Sequence, residues 1–255
     1  MTFYKYQGTG NDFILIDDRA ETFVVDQARI AHLCHRRFGI GADGLILLRN
    51  EPGYDFRMVY FNADGAEGSM CGNGGRCIVR FAHDLGLFER RTRFLAVDGE
   101  HEAEATETEI SLKMNDVSAI DVREAFCFLN TGSPHVVQQV EAVETMDVVG
   151  RGKPIRYDAQ FPGGTNVNFI EPTGTNALFV RTYERGVEDE TYSCGTGVTA
   201  AALVANHQLG MQSPVAIRTL GGNLRIAFTP QPGGTYTDIH LIGPAVRVFE
   251  GTIPA

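Results

Sequence analysis

Two short motifs recur in this chain at one spacing, and that recurrence restricts the fold more than any other feature. Thr9-Gly10-Asn11 returns as Thr131-Gly132-Ser133, 122 residues later. Cys71-Gly72-Asn73-Gly74 returns as Cys194-Gly195-Thr196-Gly197, 123 residues later. Each Cys-Gly-x-Gly opens a segment that closes on Leu-Gly, at Leu85-Gly86 and at Leu209-Gly210. Two anchors at nearly one offset read as two homologous halves, with a boundary near Met114 to Val122.

Each half reads as many short strands and one long helix. Runs such as Phe13 to Ile16, Phe56 to Phe61, Arg93 to Val97 and Glu109 to Met114 are β-branched or aromatic-rich and end at turn residues. Leu178 to Tyr183, Val215 to Thr219, Leu224 to Phe228 and Tyr236 to Ile242 repeat the pattern in the second half. After Cys71, Ile78, Phe81, Ala82 and Leu85 follow a helical period, which predicts an amphipathic helix. After Cys194 the run Ala200 to Ala205 is apolar on most sides, which predicts a buried helix with a sheet curled around it. A third helix is expected near Gln27 to Arg37.

Composition narrows the function classes. The net charge of −10 and pI near 5.2 disfavour a broad basic face for nucleic acid or anionic lipid. No run approaches the roughly 18 apolar residues of a membrane span, and the N-terminus shows no secretory signal. The five cysteines are odd in number and lack framework or zinc spacing, so they read as cytosolic thiols. Gly39-Ile40-Gly41-Ala42-Asp43-Gly44 fits the letters of a dinucleotide fingerprint, but the strand-like Leu45 to Leu48 follows it, so it reads as a turn.

The two Cys-Gly-x-Gly sites carry the chemistry. Each places a cysteine at or just before a helix N-terminus, where unpaired N–H groups and the helix dipole favour an anion. That setting favours the thiolate. The adjoining backbone amides suit a ligand carboxylate. If the halves face each other, two thiols reach one ligand from opposite sides, as inversion at carbon requires: one removes a proton and the other returns one. Cys34, Cys77 and Cys127 lack this setting and read as structural.

On these residues the chain resembles the diaminopimelate epimerase family, over essentially its whole length. The resemblance is carried by Gly8 to Phe13, Gly41 to Gly44, Phe61 to Gly65, Cys71 to Cys77, Gly132 to His135, Thr165 to Val167, Tyr183 to Gly186, Cys194 to Gly197 and Gly243 to Ala245. It implies an α+β fold of two pseudo-symmetric lobes, each a β-barrel-like curled sheet around a central helix. The lobes fall at residues 1–115, completed by a C-terminal strand at about 246–255, and at 116–245. It implies cofactor-independent interconversion of LL- and meso-diaminopimelate in lysine and peptidoglycan precursor synthesis, with neither metal nor pyridoxal phosphate. It also implies a cytoplasmic homodimer that binds no nucleic acid or membrane.

The resemblance further implies Cys71 and Cys194 as the acid/base pair, with His135 and Glu184 as supporting acid/base groups. Asn11, Asn62, Asn73, Asn166, Glu184 and Arg185 match substrate-contacting positions. The amides of Gly72, Asn73, Gly195 and Thr196 match the holder of the α-carboxylate, and Arg185 the partner of the distal one. Family members often carry asparagine at Ser133, a distal ligand contact, and some carry glutamine at Gly44. Those two departures leave the thiol pair untouched. Another amino-acid racemase or epimerase on the same fold is the alternative, followed by a thiol redox enzyme or a non-catalytic amino-acid-binding protein.

Overall fold

The computed structural model describes residues 1–253. In chain order its first elements are β1 (Thr2–Gly8), β2 (Asn11–Asp17), α1 (Gln27–Cys34), β3 (Gly44–Arg49), β4 (Phe56–Asn62), α2 (Gly72–Asp84), β5 (Arg91–Ala96), β6 (Gly99–Ala105) and β7 (Ile110–Lys113). There follow β8 (Asp121–Val122), β9 (Cys127–Asn130), β10 (Pro134–Gln139), α3 (Val148–Arg156), β11 (Asn166–Gly174), β12 (Ala177–Glu184), β13 (Asp189–Thr191) and α4 (Gly195–Leu209). The last are β14 (Val215–Thr219), β15 (Gly222–Gln231), β16 (Thr235–Gly243) and β17 (Val246–Thr252). The fold is mixed and dominated by sheet. The chain divides into two compact units, Met1–Leu112 with Gly243–Ala255, and Lys113–Ile242.

In the first unit β1 and β2 form an antiparallel hairpin across Thr9 and Gly10, both at positive φ (51° and 86°). That is the turn geometry whose twist matches the strands it joins, and it delivers Asn11 to the head of β2. β2 then pairs parallel with β3, β3 antiparallel with β4, and β4 parallel with β5. β5, β6 and β7 continue antiparallel, and β17 closes on β1. Helix α2 packs on β1, β2, β3, β6 and β17. Every residue from Gly72 to Ala82 is buried. The burial extends beyond the apolar period to the polar positions, and Arg76 and Arg80 are taken inside with hydrogen-bond partners. Arg80 donates to the Thr106 carbonyl at 2.6 Å.

The second unit repeats the same pairing order. β9 and β10 are antiparallel, β10 and β11 parallel, β11 and β12 antiparallel, β12 and β14 parallel, and β14, β15 and β16 antiparallel. Helix α4 packs on β9, β10, β11, β12, β14 and β15, with Gly197 to Ala205 wholly buried. Helix α3 sits between β10 and β11 as α1 sits between β2 and β3. Its Val148 joins a core with Val167, Phe169 and Tyr183. The duplication seen in two motifs thus extends through the strand order of each unit.

Candidate active site

Cys71 is the N-cap of α2, in an extended conformation, and its Sγ accepts the Gly74 N–H at 3.2 Å. The cysteine sulfur here takes the acceptor role that a Ser or Asp oxygen usually fills at an N-cap, where the helix dipole also favours negative charge. In the first turn of α2, the side chain of Asn73 is held on three sides. Its Oδ1 accepts from Thr9 Oγ1 at 3.3 Å and Arg76 Nη2 at 3.1 Å, and its Nδ2 donates to Asn11 Oδ1 at 3.4 Å. Asn11 in turn donates to the Asp43 carboxylate. Arg76 is completely buried and donates to Thr9 Oγ1 (3.0 Å) and to the carbonyls of Gly72 (3.2 Å) and Pro244 (3.4 Å). Burial pulls the Arg76 guanidinium down to about 10, against the opposing pull of the Cys77 and Cys71 thiols. It stays charged at neutral pH, a buried cation complementary to an anion at the helix head.

Asn62 ends β4 and is exposed, in a turn where its carbonyl accepts the Gly65 N–H at 2.9 Å. Gly44 pairs with Asn62 across β3 and β4. A Cβ on Gly44 would lie 2.5 Å from the Tyr60 ring and 2.6 Å from the Phe61 carbonyl, so Tyr60 occupies the space a longer residue would need.

In the second unit Cys194 is the N-cap of α4. Its sulfur lies 3.5 Å from Thr196 Oγ1. Thr131 Oγ1 donates to the Thr196 carbonyl at 2.9 Å. In each unit, then, the Thr-Gly-x motif grips the first turn of the cysteine-headed helix, through Thr9 in one and Thr131 in the other. His135 Nε2 lies 2.9 Å from Thr196 Oγ1 and 3.0 Å from Ser133 Oγ, and the two hydroxyls are 3.2 Å apart. Burial, reinforced by the positive charge of Arg185, pushes His135 down to about 3, so the ring is neutral. Asn166 Nδ2 donates to the Pro134 carbonyl at 3.0 Å and to Ser133 Oγ at 3.3 Å, and its Oδ1 accepts the Arg185 N–H at 2.9 Å. Glu184 accepts the Thr191 hydroxyl at 2.8 Å. The exposed Arg185 guanidinium donates to the Gly163 carbonyl at 3.3 Å.

The expected residues therefore gather in two groups: Cys71, Gly72, Asn73 and Asn11 in the first unit, and Ser133, His135, Asn166, Arg185, Cys194 and Thr196 in the second. Three participants were not expected: Asp43, which orients Asn11, the buried cation Arg76, and Asn168, which touches His135. Asn168 does carry a sequence signal, because it stands two residues after Asn166 and residues i and i+2 of a strand share a face. Burial pushes Cys77 up to about 12, Cys34 up to about 11, and Cys127 upward as well, so all three stay protonated. The five cysteines form no disulfide.

Fold and site define a duplicated, sheet-dominated protein with one cysteine-headed buried helix in each repeat. A profile of the family "Diaminopimelate epimerase" matches residues 3–120 and 127–248. A protein of that name from Flavobacterium psychrophilum is 49% identical over 257 residues, covering 99% of this chain and 100% of the relative. Another, from Chlorobaculum tepidum, is 44% identical over 96% of this chain and 98% of the relative. Among solved structures, a Bacillus anthracis phenazine biosynthesis protein of the PhzF family superposes with a TM-score of 0.76, at 15% identity, over 100% of this chain and 99% of the other; this likeness concerns the fold alone. The chain belongs to the diaminopimelate epimerase family.

Proposed function

We propose that this chain interconverts LL- and meso-diaminopimelate by exchanging the α-proton of one stereocentre between the sulfurs of Cys71 and Cys194. The observation that carries the reading is a cysteine at the head of a buried helix in both repeats, within a chain matched to the family along nearly its whole length. One sulfur enters each turnover as thiolate and takes the proton; the other enters as thiol and delivers one to the opposite face. The electron pair of the broken C–H bond is left at the α-carbon and is shared with the adjoining carboxylate until it forms the new C–H bond with the second proton. The charge that develops passes into the α-carboxylate, where the helix-end amides of Gly72, Asn73, Gly195 and Thr196 stabilise it. The chemistry calls for neither a metal nor pyridoxal phosphate.

Asn11, Asn62, Asn166, Ser133 and Glu184 complete the substrate contacts in this reading, and Arg185 takes the distal carboxylate. A guanidinium can grip a carboxylate by two parallel bonds. Glu184 and His135 support the thiols. Among the described residues no helix is long and apolar enough to cross a membrane. The reading places the chain in the cytoplasm, as a homodimer, supplying lysine and peptidoglycan precursor synthesis. The test is incubation with LL-diaminopimelate in D₂O, followed by NMR, with proline as the comparison substrate. Deuterium at one stereocentre of diaminopimelate, and none in proline, is the expected result. Exchange in proline alone would overturn the substrate assignment.

A further inference from the structure

Counting protons fixes the direction of the hydrogen-bond network beside Cys194. Asn168 is completely buried. Its Nδ2 lies 2.9 Å from the Val136 carbonyl, which can only accept, so the orientation of the amide is set. The same nitrogen's second N–H faces His135 Nδ1 at 3.0 Å. Nδ1 is therefore the acceptor and carries no proton. Asn168 Oδ1 takes the Thr182 hydroxyl proton at 3.0 Å, which leaves the amide fully engaged. A neutral imidazole with a bare Nδ1 carries its proton on Nε2. That N–H points at the Thr196 and Ser133 hydroxyls.

Asn166 starts a second path. Its amide is oriented at both ends, by the Pro134 carbonyl and the Arg185 N–H, so its Nδ2 also donates to Ser133 Oγ. Ser133 Oγ accepts that N–H, and its own hydroxyl proton is available to donate to Thr196 Oγ1 at 3.2 Å. Thr196 Oγ1 then accepts from both His135 and Ser133. Its own proton is directed to the remaining neighbour, Cys194 Sγ, 3.5 Å away.

We propose that Asn168 and His135 are positioning residues that hold the Thr196 hydroxyl as a hydrogen-bond donor to the Cys194 sulfur. The proposal rests on Cys194 being a reacting thiol. His135 acts as a fixed Nε2–H donor and not as a proton carrier. When the Cys194 thiolate takes the α-proton, an S–H bond forms from a sulfur lone pair, and no proton moves along the network. The charge that acts on the ring is that of Arg185, just beyond β12, and the nearest reacting group across the network is the Cys194 sulfur, beside the Thr196 hydroxyl that Nε2 faces.

The test uses the full chain with ¹⁵N-labelled histidine. Two-bond ¹H–¹⁵N spectra from pH 5 to 9 should show His135, assigned by its loss in His135→Gln, as the neutral Nε2–H tautomer throughout. Asn168→Leu should mix the two tautomers. Independently, the pH dependence of Cys194 alkylation by iodoacetamide is read by peptide mass. Thr196→Val should raise its midpoint by about one pH unit, so that alkylation at neutral pH slows about tenfold, and Thr196→Ser should restore it. A His135 ring that titrates in this range, an Nδ1–H tautomer, or an unchanged midpoint in Thr196→Val would each overturn the proposal. Neither readout requires turnover, so a failure to epimerise diaminopimelate leaves this test intact. The Thr196 variants keep it decisive even where Asn168→Leu does not fold.

Discussion

Replacing Gly197 by alanine sets two effects against each other, and the structure says which wins. Within a helix, alanine is favoured over glycine by up to about 1 kcal/mol. A Cβ at this position, however, would stand 2.3 Å from Asn168 Oδ1 and 3.3 Å from Cys194 Cβ. Asn168 must then leave its place, and it is buried with hydrogen bonds to Val136, His135 and Thr182. At about 1 kcal/mol for each bond, the loss is about 3 kcal/mol. The net expectation is destabilisation by about 2 kcal/mol, a fall in melting temperature of roughly 4–8 °C for a chain of this size. Circular dichroism melts measure it. A second background sharpens the test: in Asn168→Ala the obstacle is gone, so Gly197→Ala should cost nothing or stabilise slightly, giving a coupling of about 2–3 kcal/mol between the two sites. A Gly197→Ala protein that melts at or above wild type, or a penalty that persists in Asn168→Ala, would refute the reasoning.

Cys71→Ser and Cys194→Ser should each lower kcat for diaminopimelate by about 10²–10⁴-fold, with melting temperatures close to wild type; near-normal turnover in either variant would exclude the two-thiol mechanism. Turnover should be unaffected by a chelator or by added pyridoxal phosphate. Arg185→Lys should raise KM for diaminopimelate by about tenfold, because a planar fork becomes a point charge, while leaving folding unchanged; an unaltered KM would make Arg185 a solvent-facing charge only. Burial raises the Asp12 carboxyl, but hydrogen bonds and charge from Arg36 and Lys5 outweigh it and hold the group at about 2. Its folded value is depressed, so its contribution is present above the ordinary carboxylate range and is lost as pH falls toward 2. Asp12→Asn should therefore lower stability at neutral pH and flatten the acid side of the stability profile between about pH 4 and 2, measured by urea midpoints across that range.

What could be read in advance depended on how local the signal was. The strand runs Phe56 to Phe61 and Leu178 to Tyr183 were visible because β-branched and aromatic residues sit between turn residues, and both lie within strands. Helix α3 was hidden, since Gly150, Gly152 and Pro154 argue against a helix. It forms because Asp147 caps it, accepting the Gly150 N–H at 2.8 Å, and because Val148 is buried. The apolar period of α2 marks one face only; its burial from Gly72 to Ala82 was legible through the family resemblance, which implies a curled sheet around a central helix, and not through periodicity. The network around Cys194 was the least legible part. His135 meets Asn168 across 33 residues and Thr196 across 61. No periodicity encodes such contacts, and His135 stood out only through its motif.

The duplication explains why there are two sulfur sites, yet it does not make them alike. Both are N-caps of a central helix, and both are gripped by the threonine of a Thr-Gly-x turn. They part at the third residue of the Cys-Gly-x-Gly motif. Asn73 turns away from its cysteine toward Asn11, Thr9 and Arg76, and the Cys71 sulfur takes a backbone N–H, that of Gly74. Thr196 instead lies beside its cysteine, and a side-chain hydroxyl approaches the Cys194 sulfur. A backbone donor within a helix turn is always present, whereas a hydroxyl can be rotated by whatever donates to it. One half therefore holds its sulfur by a backbone N–H of the helix itself. The other holds it through a network that begins at two oriented amides, Asn166 and Asn168. Substitutions in that network, at Asn168 or Ser133, should alter the Cys194 side of the reaction and leave the Cys71 side as it is.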